Sequence, residues 1–139
     1  MIDFIYAALA SLGYTHPLHP ASTHLPMGLV LGAFLFQLAS IKWTDLAKTV
    51  YYCLVLALVT APIAAVSGLL DWQHRLHGKM TGLITAKLGL SVALIALLAY
   101  VLYKYRAETP TWRAMTFWCA LAALVASALG LIGGELAYG

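Results

Sequence analysis

Charge is what this chain has least of. Only 9% of its 139 residues are Asp, Glu, Lys or Arg, against roughly 25% in a soluble domain. So few charges cannot cover a water-facing surface, which excludes an ordinary soluble fold and points to a chain built for lipid. Cysteine is nearly absent too. Cys53 and Cys119 each sit inside an apolar run with no C-x-x-C spacing, so nothing indicates a disulfide framework and both read as small buried hydrophobes. A basic leader is missing as well. The opening MIDFIYAALASLG carries Asp3 where a signal peptide has its positive charges, so it predicts a short interfacial helix ending at Gly13, not a cleaved signal. No Gly-rich phosphate loop follows a strand, because no strand pattern is evident. The net charge of +3 is too small and too scattered for a nucleic-acid partner.

What the chain has in abundance is apolar length, with 63% hydrophobic residues. Four runs predict helices over residues 21–43, 45–73, 79–105 and 110–137, each long enough to cross a bilayer, which takes about 20 residues. Lipid offers no partner for open backbone groups, and the runs are too long for barrel strands, so the spans are helices. Short connections force an up-down-up-down order. The expected fold is all-α: an integral membrane four-helix bundle, one transmembrane domain over residues 1–139, with the lipid bilayer as its first partner. Trp43, Trp72, Tyr103, Tyr105 and Trp112 fall near run ends, where amphipathic rings favour the headgroup zone. Ser22 or Thr23 is expected to cap the first span, with Pro26 in its first turn. Thr109 or Thr111 with Pro110 opens the fourth. Pro62 lies inside the second span and bends it by freeing the carbonyl of Leu58.

Lys42, Lys48, Lys104, Arg106 and Arg113 flank one side of the bundle, and Arg75 and Lys79 the other. The positive-inside bias places the first set in the cytoplasm. Both termini are then periplasmic in a bacterial inner membrane, and all five histidines share that outer side.

The histidines form two clusters, His16, His19 and His24 before the first span and His74 and His77 after the second. Imidazole suits haem or metal ligation and proton transfer near neutral pH. Pro17 and Pro20 argue that His16 and His19 lie on extended chain. His74 and His77 share a helix face if the second helix continues past the interface. Three costly residues converge on the same side: Asp71, Lys87 and Glu135. A charge at helix depth costs a few kcal/mol unless it snorkels, pairs or meets water. Lys87 therefore either pairs with Asp71 or snorkels along its stem. Gly28 and Gly32, with Gly68, Ala64, Ser67 and a strip from Ala123 to Gly130, permit close helix approach or leave room for a flat ring.

Three stretches resemble a known family. H-P-A-S-T-H-L-P from His19 to Pro26, S-G-L-L-D-W from Ser67 to Trp72, and L-G-L-I-G-G-E-L-A-Y-G from Leu129 to Gly139 resemble, in order, elements of the small bacterial membrane proteins grouped as domain of unknown function 2231. The resemblance implies a four-helix fold with distant similarity to b-type membrane cytochromes, and with it haem b. It points to His19, His24, Asp71, Gly133 and Gly134. It also implies a histidine in the third helix of many relatives, where this chain has Lys87 in T-A-K-L-G-L.

The leading expectation is a b-type haem protein moving electrons near the outer membrane face, an electron carrier more than a stand-alone enzyme. His24 supplies one axial ligand and His74 or His77 the other. Gly28, Gly32 and Gly68 leave space for the macrocycle, and Arg75 or Lys87 neutralises propionates. Asp71 and Glu135 handle protons if a quinol binds nearby. Two alternatives stand beside it. One is a non-catalytic accessory subunit of a larger membrane redox complex, or a homo-oligomer, with no cofactor of its own. The other is a copper, iron or zinc site built from His19, His24, His74 and His77. No nucleophile–base–acid set is visible, and few intramembrane polar groups argue against a channel.

Overall fold

The computed structural model describes residues 2–13, 18–76 and 81–138. A short helix, α1 (Ile2–Ser11), precedes four long ones: α2 (Leu18–Ala39), α3 (Leu46–Leu76), α4 (Gly82–Glu108) and α5 (Trp112–Tyr138). No strand occurs among the described residues. All four long helices are long and apolar enough to cross a membrane; the shortest, α2 with 22 residues, reaches about 33 Å at ~1.5 Å per residue.

Contacts between helix ends show that the four alternate in direction. Ser22 at the start of α2 meets Ser67 near the end of α3. Tyr51 at the start of α3 stacks on Tyr105 at the end of α4. Lys87 early in α4 lies beside Gly133 late in α5, and Gln37 late in α2 bonds to Trp112 at the start of α5. Neighbours in the ring are α2 with α3, α3 with α4, α4 with α5, and α5 with α2. Thus α2 and α4 stand on one diagonal, and α3 and α5 on the other.

The helix starts revise several local expectations. α2 begins at Leu18, so His19 and Pro20 lie in its first turn and not on extended chain. The first turn tolerates Pro20 because its missing N–H has no intrahelical partner there. Ser22 and Thr23 are then inside the helix, and the Ser22 hydroxyl is used across the bundle on Ser67 at 2.6 Å. Pro26 falls in the helix interior for the same reason and leaves the Ser22 carbonyl without its helical donor. Thr111 does cap α5, accepting from the amide of Ala114 at 3.3 Å. Thr109 adopts a left-handed φ of 42° at the end of α4. Thr81, which the sequence reading passed over, caps α4 through its hydroxyl and the amide of Ile84.

Core packing fills the middle of the bundle and the end that carries Lys42, Lys104 and Arg113. Val30 and Ala33 of α2, Val50, Leu54 and Ala57 of α3, Leu94, Leu98 and Val101 of α4, and Met115, Cys119, Ala122 and Ala126 of α5 are buried together. Ala33, Ala57, Ala122 and Ala126 have no exposed surface at all. Small side chains at those contacts let the backbones approach, which holds membrane helices together where lipid supplies no hydrophobic drive. Leu35, Ile63, Val92, Leu124 and Leu131 point outward, as lipid requires. At the opposite end, where His24 lies, the core gives way to a cavity.

Candidate functional site

The cavity measures about 260 Å³ and takes wall residues from all four long helices. α2 contributes Thr23, His24, Pro26 and Met27; α4 contributes Lys87, Ser91, Leu94 and Ile95. The remaining walls are mostly small: Ala61, Ala64 and Ala65 of α3, with Gly130, Gly133 and Gly134 of α5 beside Leu129. That is room for several waters, at about 30 Å³ each, or one ring-sized ligand. It sits just below the ~300–1,000 Å³ of small-molecule pockets. Few polar side chains in an otherwise apolar cleft is the composition such pockets share.

Helix geometry explains why these residues meet. His24 and Met27 are three apart, and Thr23 and Met27 four apart, so one face of α2 presents all three. Lys87 and Ser91 are four apart on α4, and the Ser91 hydroxyl donates to the Lys87 carbonyl at 2.8 Å. On α5, Gly130, Gly133 and Gly134 share one face. A Cβ at Gly130 would lie 2.5 Å from the Met27 methyl, so any side chain there displaces the flexible tip of Met27 from its place in the wall. A Cβ at Gly133 would sit at ordinary contact distance, 3.5 Å, from the Lys87 ammonium.

Two nitrogen-bearing side chains face the space from diagonal helices. His24, on α2, is exposed and lines the cavity, so it stands at the mouth. Lys87, on α4, is half-buried. Asp71 is buried, at 8% exposure, and its carboxylate is within electrostatic reach of the Lys87 ammonium. Asp71 is not part of the wall.

Other expected site residues fall elsewhere. His74 is exposed near the end of α3 and does not line the cavity. Ser22 pairs with Ser67, so His74 lies seven residues beyond that contact, roughly 10 Å further along the helix, whereas His24 lies two residues inward. Gly28, Gly32 and Gly68 are also absent from the lining. A Cβ at Gly28 or Gly32 would meet nothing within 4 Å, so that strip lies on an open face of α2. Glu135 is exposed. His16 and His77 lie outside the described residues, as do the side chains of His19 and Arg75. Among the described residues, no three His, Cys, Asp or Glu side chains gather in a metal-binding group.

Sequence reasoning marked Ala64 and Gly130 as small residues that could leave room for a ring, but missed Thr23, Met27, Ala61, Ala65 and Ser91 as wall residues. The spacings of Met27 from His24 and of Ser91 from Lys87 were the available signals. An apolar stripe gives no sign of whether it meets a neighbour or a void.

Fold and site together define a multi-pass helical membrane protein with a small, polar-anchored cavity at one end of its bundle. The chain belongs to the family described as predicted membrane protein, DUF2231, whose model matches residues 15–139. Neither the curated proteins nor the solved structures contain a match.

Proposed function

We propose that this protein holds the ring of a lipid-soluble redox carrier, a quinone-type headgroup, in the cavity at its histidine end. There it serves electron exchange with a larger membrane redox complex. One observation carries the reading: His24 and Lys87 reach a small apolar cavity from diagonally opposed helices. A para-quinone ring has two acceptor oxygens on opposite edges. An imidazole N–H and an ammonium can donate to one each, while the alanine and glycine walls accept the flat ring. The basic residues at the other end support an inner-membrane orientation with this cavity on the periplasmic side. Titrating the purified, reconstituted protein with a short-chain quinone, read by tryptophan fluorescence, tests it. Saturable binding that H24A weakens about tenfold, a loss of ~1.4 kcal/mol, is expected; no saturable binding overturns it.

Haem b is the second reading. It is favoured by the same two nitrogens, since axial ligands approach an iron from opposite faces. His24 would hold one face, and Lys87 is the nitrogen on the opposite wall. His74 would need to approach from outside the lining. The group would supply one-electron chemistry; a macrocycle with propionates also needs the helix ends to part beyond the present 260 Å³. Reduced-minus-oxidised spectra decide it: a pure sample with no Soret band, even after haem supplementation, overturns this reading.

The accessory-subunit reading draws support from the open Gly28–Gly32 face, which fits a tightly packed partner helix.

A further inference from the structure

The cavity lining is one-sided in charge. Its polar lining consists of the Lys87 ammonium, the His24 imidazole and the hydroxyls of Thr23 and Ser91. No acidic side chain lines it among the described residues. Asp71, which interacts electrostatically with Lys87, is buried outside the lining, and Glu135, next to the wall residue Gly134, is exposed. A ligand therefore meets a fixed positive charge and donors inside an apolar enclosure, where charge-assisted hydrogen bonds are roughly twice as strong as neutral ones. Asp71 offsets part of the cost of keeping that ammonium out of water, and it is not among the wall residues that a ligand would touch.

We propose that the preferred ligand is a quinone whose ring carries an ionised hydroxyl, a hydroxyquinone anion, with the anionic oxygen held by Lys87 and the opposite carbonyl by His24. This rests on the quinone reading above and narrows it to one charge class. The alternative, a neutral ring held by shape alone, gives Lys87 no role that a neutral donor of the same length would not fill.

The test compares two probes of one shape: 2-hydroxy-3-methyl-1,4-naphthoquinone, ionised at neutral pH, and its 2-methoxy counterpart, which cannot ionise. Binding is measured on the full chain in nanodiscs of neutral lipid. The hydroxy compound is expected to bind at least about tenfold tighter. That ratio should fall toward one in K87Q and persist in K87R, which keeps the charge. In the wild-type protein the ratio should also fall as pH drops below the pKa of the free probe, so the test survives if K87Q fails to fold. Equal affinities in the wild type, or a preference unchanged in K87Q, overturn the inference while the quinone reading stands. Failure of both probes to bind overturns the quinone reading itself.

Discussion

Gln37 and Trp112 clasp each other across the α2–α5 contact. The indole N–H of Trp112 donates to the Gln37 carbonyl at 3.0 Å, and the Gln37 side-chain amide donates to the Trp112 carbonyl at 3.3 Å. Ser40 and Thr116 complete the cluster, accepting from Trp112 and Gln37 respectively. Gln37 is 3% exposed and Ser40 6%, so no water replaces the donor when the indole N–H is lost. Replacing Trp112 with Phe keeps the ring and removes both indole bonds. The expected cost is about 1 kcal/mol, the scale of interhelical hydrogen bonds in membranes, read as a lower melting temperature in detergent. An unchanged melting temperature would show that the clasp adds nothing.

A second polar contact ties α2 to α3. The Ser67 hydroxyl donates to the Ala64 carbonyl at 2.8 Å. The Ser22 and Ser67 hydroxyls lie 2.6 Å apart, so one of them donates to the other. Removing either hydroxyl should cost less than about 1 kcal/mol. The S22A/S67A double-mutant cycle should return a coupling of a few tenths of a kcal/mol or more; additivity would mean the two hydroxyls do not interact.

Glycines on different faces should behave oppositely. G130A places a methyl 2.5 Å from the flexible tip of Met27, which must swing, and Met27 is a cavity wall. Weaker binding of a quinone probe with little loss of stability is the expected result. G28A meets nothing and should be neutral or stabilising by up to about 1 kcal/mol, since alanine favours the helix. If G130A and G28A bind the probe equally well, the position assigned to the cavity is wrong.

The accessory-subunit reading has its own discriminating variant. G28L together with G32L fills the open strip of α2 without touching the cavity. Co-purification with a redox complex should be lost while quinone binding is kept; retention of the complex removes that face from consideration.

Helix capping offers a fifth check. Thr81 accepts from the Ile84 amide at the start of α4, six residues before Lys87. T81A should destabilise by about 1 kcal/mol, measured by thermal melting. It should also raise hydrogen exchange selectively in the first turn of α4, and uniform exchange changes would argue against a local cap.

The sequence by itself determined that this chain is a helical membrane protein with four spans and short connections. Too few charges and too much apolar length leave no other way to satisfy the backbone in lipid. It also marked His24 and Lys87, because a costly polar side chain at membrane depth stands out in one dimension. What it left open was rotation and depth. Gly28 and Gly32 share a stripe with a spacing suited to a ring, yet whether that stripe faces a void, a neighbour or lipid depends on how α2 is turned against α3 and α5. Ser22 reads as a cap until α2 proves to begin at Leu18. His74 shares the histidine end with His24, and the Ser22–Ser67 contact sets it roughly 10 Å further along its helix, an offset that spacing alone does not give. Only tertiary packing decided these, because side-chain periodicity fixes which residues share a face of a helix, whereas the face's neighbour is set by the mutual fit of four helices at once.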